Sequence, residues 1–314
     1  MKQELKSDRK KIDFKTIFPF LGLVTVELFF QIVTGGKVFA SRNLSAILNS
    51  SFLILIATVA FSFVMTVGNL DLSMGTVMAV SCTCAAMGAQ VAPILAIPCA
   101  IIPGILFGFF NGFVQVHLKI GSLIGTMATQ SIFAGILVLV LDGGTISAPV
   151  KMLSWNTMGL KITVMVCVVL IGGYFYNFAA YGRHCKAIGS AGEAARLSGV
   201  NVKRVKYMTC IMMGLVAGGL GFFSLIRTGS ASAATGSELM INVWCAALLG
   251  GLPLSGGFSA KYRSAIVGSL TMAFLANGMT LMGLNMYDQQ LIRGVVFLAA
   301  IAISFDRKNL AVIK

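Results

Sequence analysis

The chain has 314 residues, 57% of them hydrophobic and only 11% charged, against about 25% charged in a soluble domain. That balance excludes an ordinary soluble fold, and apolar runs of spanning length recur from end to end, as in an all-α polytopic membrane protein. The net charge of +14 does not argue for nucleic acid, because no separate basic domain exists to bind it. Lys and Arg instead accumulate on the cytoplasmic side of membrane proteins.

In chain order, a basic tail at 1–16 precedes an apolar run from Ile17 to Thr34. The run is longer than a signal-peptide core and has no A-x-A site nearby, so it reads as an uncleaved first span. Ten spans fit: 17–34, 51–68, 74–90, 91–111, 126–141, 161–179, 208–226, 238–252, 264–283 and 289–305. With the N-terminus inside, the cytoplasmic segments 1–16, 69–73, 112–125, 180–207, 253–263 and 306–314 hold most of the 24 Lys and Arg residues. That asymmetry supports an even number of spans with both termini cytoplasmic. The expected organisation is a tail at 1–16, a membrane domain at 17–305 and a tail at 306–314.

An internal repeat runs at an offset near 166. GNLDL at 68–72 matches TGSEL at 235–239 and sets Asp71 opposite Glu238. FGFFNG at 107–112 matches AFLANG at 273–278 and pairs Asn111 with Asn277. QSIFAG at 130–135 matches QQLIRG at 289–294. Spans 2–5 thus correspond to spans 7–10, in opposite orientation, which is the inverted repeat that builds many transporters around a midplane pathway. Spans 3 and 8 are short and begin at Asp71 and Glu238, whose carboxylates suit a helix N-terminus. They read either as interface caps or as pathway groups. Gly104, Gly108 and Gly112 on span 4, and Gly214 and Gly218 on span 7, have the spacing of close helix packing.

The segment 181–206 is a basic hydrophilic island. Ser190 and Glu193 have capping-box spacing, predicting a helix over Ala191–Ser198 with Gly199 as its left-handed C-cap. So short a helix is marginal alone and needs a surface to dock on. Ala191, Ala194, Ala195 and Leu197 offer a small apolar face, and Glu193 and Arg196 stand at i and i+3.

Chemistry is thin elsewhere. There is no P-loop and no G-x-S-x-G elbow, and Ser255 has no histidine in a span to activate it. Glu27 and Arg293 are the ionisable groups expected within spans, free to pair with each other or to line a path; equally, Glu27 fits the outer interface and Arg293 a snorkelling position or a span edge. The seven cysteines are odd in number and mostly lie in apolar segments, so no disulfide framework is expected. His117 and His184 make no metal-ligand spacing with them. No cofactor or metal is expected.

A resemblance now joins these pieces. AIGSAGEAARLSGVNVKRVK at 187–206 resembles the cytoplasmic loop of ribose-type permeases of ATP-binding-cassette (ABC) importers, within the branched-chain amino acid and sugar permease superfamily. GNLDLSMGTVMA at 68–79, FFNGFVQVHLKIGSLIGTMAT at 109–129, ALLGGLPLSGG at 247–257 and FLANGMTLMG at 274–283 are similar to that family in the same order. After LSGG the chain departs, reading FSAKYRS where the family usually has a small Gly-rich turn. The resemblance implies a bacterial plasma-membrane permease subunit for a monosaccharide-like solute, not itself an enzyme. It implies a second permease subunit, two cytoplasmic ATPase domains and an extracytoplasmic solute-binding protein. It also implies that 180–207 holds a coupling helix, with Ser190, Glu193, Ala194, Ala195, Arg196, Leu197, Ser198 and Gly199 facing the ATPase. Asp71, Asn111, Glu238, Asn277 and Arg293 are the candidate pathway residues. A self-sufficient secondary carrier or channel is the alternative.

Overall fold

The computed structural model describes residues 14–304. Their α-helices are α1 Phe14–Val33, α2 Ser41–Thr66, α3 Met74–Val91, α4 Ala96–Val116, α5 Ser122–Leu141, α6 Met158–Asn177, α7 Ala180–Leu197, α8 Val202–Thr228, α9 Ser237–Leu249, α10 Tyr262–Leu281 and α11 Met286–Ser304. A two-stranded antiparallel ribbon joins β1 Thr145–Ser147 to β2 Ser230–Ser232. Among the described residues, seven helical segments are long and apolar enough to cross a membrane, and Pro19–Val33 and Ser237–Leu249 are shorter apolar helices. The chain is therefore an all-α multi-pass membrane protein. The expected tails lie mostly outside the described residues.

The helix ends follow local chemistry. Asn201 starts α8 by accepting from the Arg204 amide at 3.0 Å, and Thr157 starts α6 by accepting from the Leu160 amide at 3.3 Å. Gly229, at φ +73°, ends α8 in the left-handed region that glycine tolerates. The second expected span began at 51, whereas α2 starts ten residues earlier in chain order, at Ser41. Its first turns are polar, so hydropathy misses them. Their hydroxyl and amide groups donate back to carbonyls one turn earlier, as Asn49 does to Ser45 and Ser50 does to Ala46, both at 3.0 Å.

Two packed groups form the interior. In one, α4 lies against α8 and α3; in the other, α10 lies against α2 and α9. Also, α3 meets α8, α9 meets α2, α3 meets α5, and α9 meets α11. The antiparallel α4–α8 crossing depends on glycine. A Cβ on Gly104 would strike the Gly214 carbonyl and sit 2.9 Å from Gly218 Cα, and one on Gly108 would strike the Cys210 carbonyl. The expected small-residue ridges thus face each other, allowing backbone-to-backbone approach. By contrast, α5 and α6 expose long apolar faces, including Leu139 and Leu170.

Candidate functional site

Two regions carry the candidate residues. The first is α7. Its opening turns are held by the bundle: Cys185 and Ile188 are buried, and the Tyr181 hydroxyl shares a 2.8 Å hydrogen bond with Thr209 of α8. Burial pushes the Cys185 thiol up to about 11. Lys186 Nζ lies 4.5 Å from the centre of the Tyr176 ring, and burial holds its ammonium below the usual lysine range.

At Ala191 the helix breaks, with φ −159° and ψ 84°. The expected helix over Ala191–Ser198 is therefore the second arm of a longer kinked one. The expected capping box does not form. Ser190 Oγ instead accepts from the Phe258 amide at 3.0 Å, and Glu193 turns to Arg196, 3.0 Å away. The tertiary donor wins because the 257–259 turn crosses directly over Ser190: a Cβ on Gly257 would strike the Ser190 Oγ. The C-terminal expectation holds. Gly199 is at φ +87°, its amide donates to the Arg196 carbonyl at 3.1 Å, and the Val200 amide donates to Ala195 at 3.0 Å. These are the two bonds of a Schellman cap.

The second arm displays Glu193, Ala194, Arg196, Leu197, Ser198 and Gly199 to solvent, with Leu197 81% exposed. Ala195, expected on the docking face, is buried against the chain itself.

The break sits on a junction. A Cβ on Gly189 would strike the Thr66 carbonyl at the end of α2 and lie 2.5 Å from the Gly257 amide nitrogen. The Tyr176 hydroxyl at the end of α6 shares a 2.7 Å bond with Thr66 Oγ1 and donates to the Ala260 carbonyl at 3.0 Å. Gly256, at φ +70° and ψ −152°, occupies a conformation essentially reserved for glycine. An open groove beside this junction, about 440 Å³, is lined by Asn69, Ile188, Glu193, Arg196 and Lys206 among others.

The second region lies deeper, where the chain leaving α2 reaches α3. Residues 67–73 run without helix, and their amides are answered by α5: Leu70 donates to Ser122 Oγ at 3.0 Å and Leu72 to Thr126 Oγ1 at 3.1 Å. Asp71 is 4% exposed. Its Oδ1 accepts from both the Ser73 amide and the Ser73 hydroxyl at 2.7 Å. Asn111 Nδ2 donates to Ser73 Oγ at 2.8 Å, and Thr129 Oγ1 donates to Asn111 Oδ1 at 2.9 Å. Asp71 and Asn111 are therefore joined through Ser73. Sequence reasoning missed Ser73 and Thr129. The D-x-S spacing, in which an Asp side chain accepts from the amide two residues on, was the available signal for Ser73.

The first turns of α3 and α9 abut. A Cβ on Gly75 would lie 2.7 Å from the Gly236 carbonyl oxygen, and one on Gly236 would lie 2.7 Å from that of Gly75. Trp244 Nε1 donates to the Asp71 carbonyl at 3.4 Å. Two helix N-termini, each the positive end of a dipole, thus face each other, with Asp71 beside one and Glu238 in the first turn of the other.

Glu238 Oε2 accepts from Arg293 Nη1 at 3.2 Å, and Arg293 Nη2 donates to Gln289 Oε1 at 3.0 Å. Arg293 therefore pairs with Glu238, rather than with Glu27 as the sequence allowed. Asn277 stands apart, in a reciprocal amide pair with Asn43 at 2.9 Å in both directions. The five candidate pathway residues fall into three separate clusters. Among the described residues, no group of three or more His, Cys, Asp or Glu side chains could hold a metal.

A family model described as the permease component of branched-chain amino acid transport systems matches residues 43–301. The ribose import permease protein RbsC of Bacillus subtilis (strain 168) is 30% identical over 323 residues, covering 98% of this chain and 99% of that protein. RbsC of Escherichia coli (strain K12) is 26% identical over 277 residues, with 84% and 86% covered. The L-arabinose transport system permease protein AraH of the same strain is 33% identical over 205 residues, with 63% and 61% covered. No solved structure matches the chain.

Proposed function

The chain belongs to the permease family of branched-chain amino acid transport systems, and from that premise we propose that it is the membrane-spanning subunit of an ATP-driven importer for a monosaccharide-like solute. Ribose import permeases match 98% and 84% of its length, and a xylose transport system permease matches 94%. The observation that carries the mechanism is the junction at Gly189 and Ser190. It ties an exposed helical arm to the end of α2, and α2 leads directly into the non-helical segment that carries Asp71.

The arm, with Glu193, Ala194, Arg196, Leu197, Ser198 and Gly199 outward, docks on a cytoplasmic ATPase subunit, and Ser190 anchors it. Closure of paired ATPase domains pulls the arm. The kinked α7 transmits the pull through Thr66 and the 256–260 turn to the group of α2, α9 and α10, switching the bundle between two states. ATP hydrolysis belongs to the partner chains. A second permease subunit covers the apolar outer faces, and an extracytoplasmic binding protein delivers the solute.

Ten spans, both termini cytoplasmic and an inverted repeat of α2–α5 with α8–α11 complete the reading, in a bacterial plasma membrane. The exchange of contacts between the halves supports the repeat: α4 on α8 answers α10 on α2, and α3 on α8 answers α9 on α2. The facing N-termini of α3 and α9 fit the broken-helix sites of transporters. Asp71, Asn111, Glu238 and Arg293 then line or brace the path, and Asn277 with Asn43 pins α10 to α2.

The test is reconstitution. The chain with its ATPase and binding protein, in proteoliposomes, takes up labelled D-ribose, L-arabinose or D-xylose only with ATP. Sugar flux driven by a gradient through the chain alone would refute the reading in favour of a self-sufficient carrier.

A further inference from the structure

We propose that Arg293 and Asn242, reached past Glu238, form a hydroxyl-binding subsite for the transported solute. This rests on the reading above that the solute is sugar-like. Glu238, Asn242 and Cys245 stand at i, i+4 and i+7 of α9, on one face. α11 lies along that face: Cys245 Sγ donates to the Arg293 carbonyl at 3.8 Å, while Arg293 Nη1 reaches Glu238 at 3.2 Å. The Arg293 side chain thus runs beside α9 from the level of Cys245 back to Glu238, past the position of Asn242.

Both residues are deeply enclosed, Arg293 at 7% and Asn242 at 8% exposure. Arg293 Nη1 and Nη2 are engaged by Glu238 and Gln289. Arg293 Nε and Asn242 Oδ1 are buried and have no hydrogen-bond partner among the described residues. One is a donor and the other an acceptor, on the same stripe of the α9–α11 seam. Hydroxyls are the groups that answer both kinds of need, since each donates one hydrogen and accepts on its lone pairs.

Net charge points the same way. The guanidinium and the Glu238 carboxylate neutralise each other, so this seam favours a neutral polyol over an ion. Glu238 has 38% of its side chain accessible against 8% for Arg293. The carboxylate is therefore the open lip, able to accept from a second hydroxyl, and the orphaned pair lies behind it.

The experiment uses the complete transporter in proteoliposomes, with D-ribose and its 2-, 3- and 5-deoxy analogues as probes. Each probe is supplied at a concentration that saturates the binding protein, so the maximal rate reads the membrane site. Asn242→Leu removes the acceptor. Arg293→Lys keeps a cation for Glu238 and removes Nε, which guards against simple misfolding. Each variant is expected to lower ribose uptake about tenfold or more while leaving one deoxy analogue, the one lacking the bound hydroxyl, within about twofold of wild type. Equal loss across all four probes, or no loss, overturns the subsite and leaves the transport reading standing. A wild-type complex that takes up none of D-ribose, L-arabinose or D-xylose with ATP overturns both.

Discussion

Gly189→Ala tests whether the junction between α7 and α2 transmits force. The new methyl would strike the Thr66 carbonyl and lie 2.5 Å from the Gly257 nitrogen and 3.1 Å from the Gly257 Cα. Ordinary contacts need about 3.5 Å, so the junction must open by about 1 Å on the Gly257 side and by more at the Thr66 carbonyl. All three obstructing atoms are backbone and cannot rotate aside. Overpacking of this kind costs about 1–3 kcal/mol. The Ser190–Phe258 hydrogen bond, worth about 0.5–1.5 kcal/mol net, is strained by the same movement. Against this, Ala gains about 0.5–1 kcal/mol over Gly in a helix. The balance is about 1–3 kcal/mol against the docked junction. At about 1.4 kcal/mol per tenfold, ATP-dependent uptake falls between about fivefold and about a hundredfold. Membrane level and basal ATP hydrolysis by the complex stay near wild type. Gly135→Ala, where nothing lies within 4 Å of the new methyl, is the control and leaves uptake unchanged. Wild-type uptake by the Gly189→Ala complex would refute the transmission argument.

Arg196→Glu sets a like charge against Glu193, now 3.0 Å from the guanidinium, and is expected to uncouple ATP hydrolysis from uptake with little change in membrane level; normal coupled uptake would count against docking at this arm. Leu197→Asp places a charge on an apolar side chain that is 81% exposed, so co-purification of the ATPase in mild detergent should be lost while the permease itself melts normally. Gly104→Leu drives a branched side chain into the Gly214 and Gly218 backbone; it should destabilise the α4–α8 crossing by about 3 kcal/mol or more, read as a lower melting temperature in detergent. The Cys185 thiol, raised by burial to about 11, stays protonated through neutral and mildly alkaline pH, and the thiolate is the reactive form. A water-soluble maleimide should leave it unmodified at pH 8 until the protein unfolds, and rapid labelling of the folded complex would contradict the packing of α7.

Much of this protein is legible in one dimension because its determinants are local. Apolar runs specify helices wherever lipid denies the backbone any other partner. The left-handed Gly199 ends α7, its amide bonding to the carbonyl three positions earlier and that of Val200 to the one five positions earlier. The glycine ridges on α4 and α8 announce close packing. What the local pattern could not contain is choice of partner. Ser190 had an amide three residues away for a capping box and took one 68 residues away, because the 257–259 turn lies over it. Arg293 had Glu27 as a conceivable mate and took Glu238, 55 residues off, because α11 lies along α9. Trp244 reaches the Asp71 carbonyl across 173 residues only where two helix N-termini meet. Hydropathy and cap chemistry depend on neighbours along the chain and so are written in the sequence. Buried polar groups take whichever partner packing brings within about 3 Å, and in this bundle packing alone turned scattered candidates into a junction, a carboxylate network and an arginine seam.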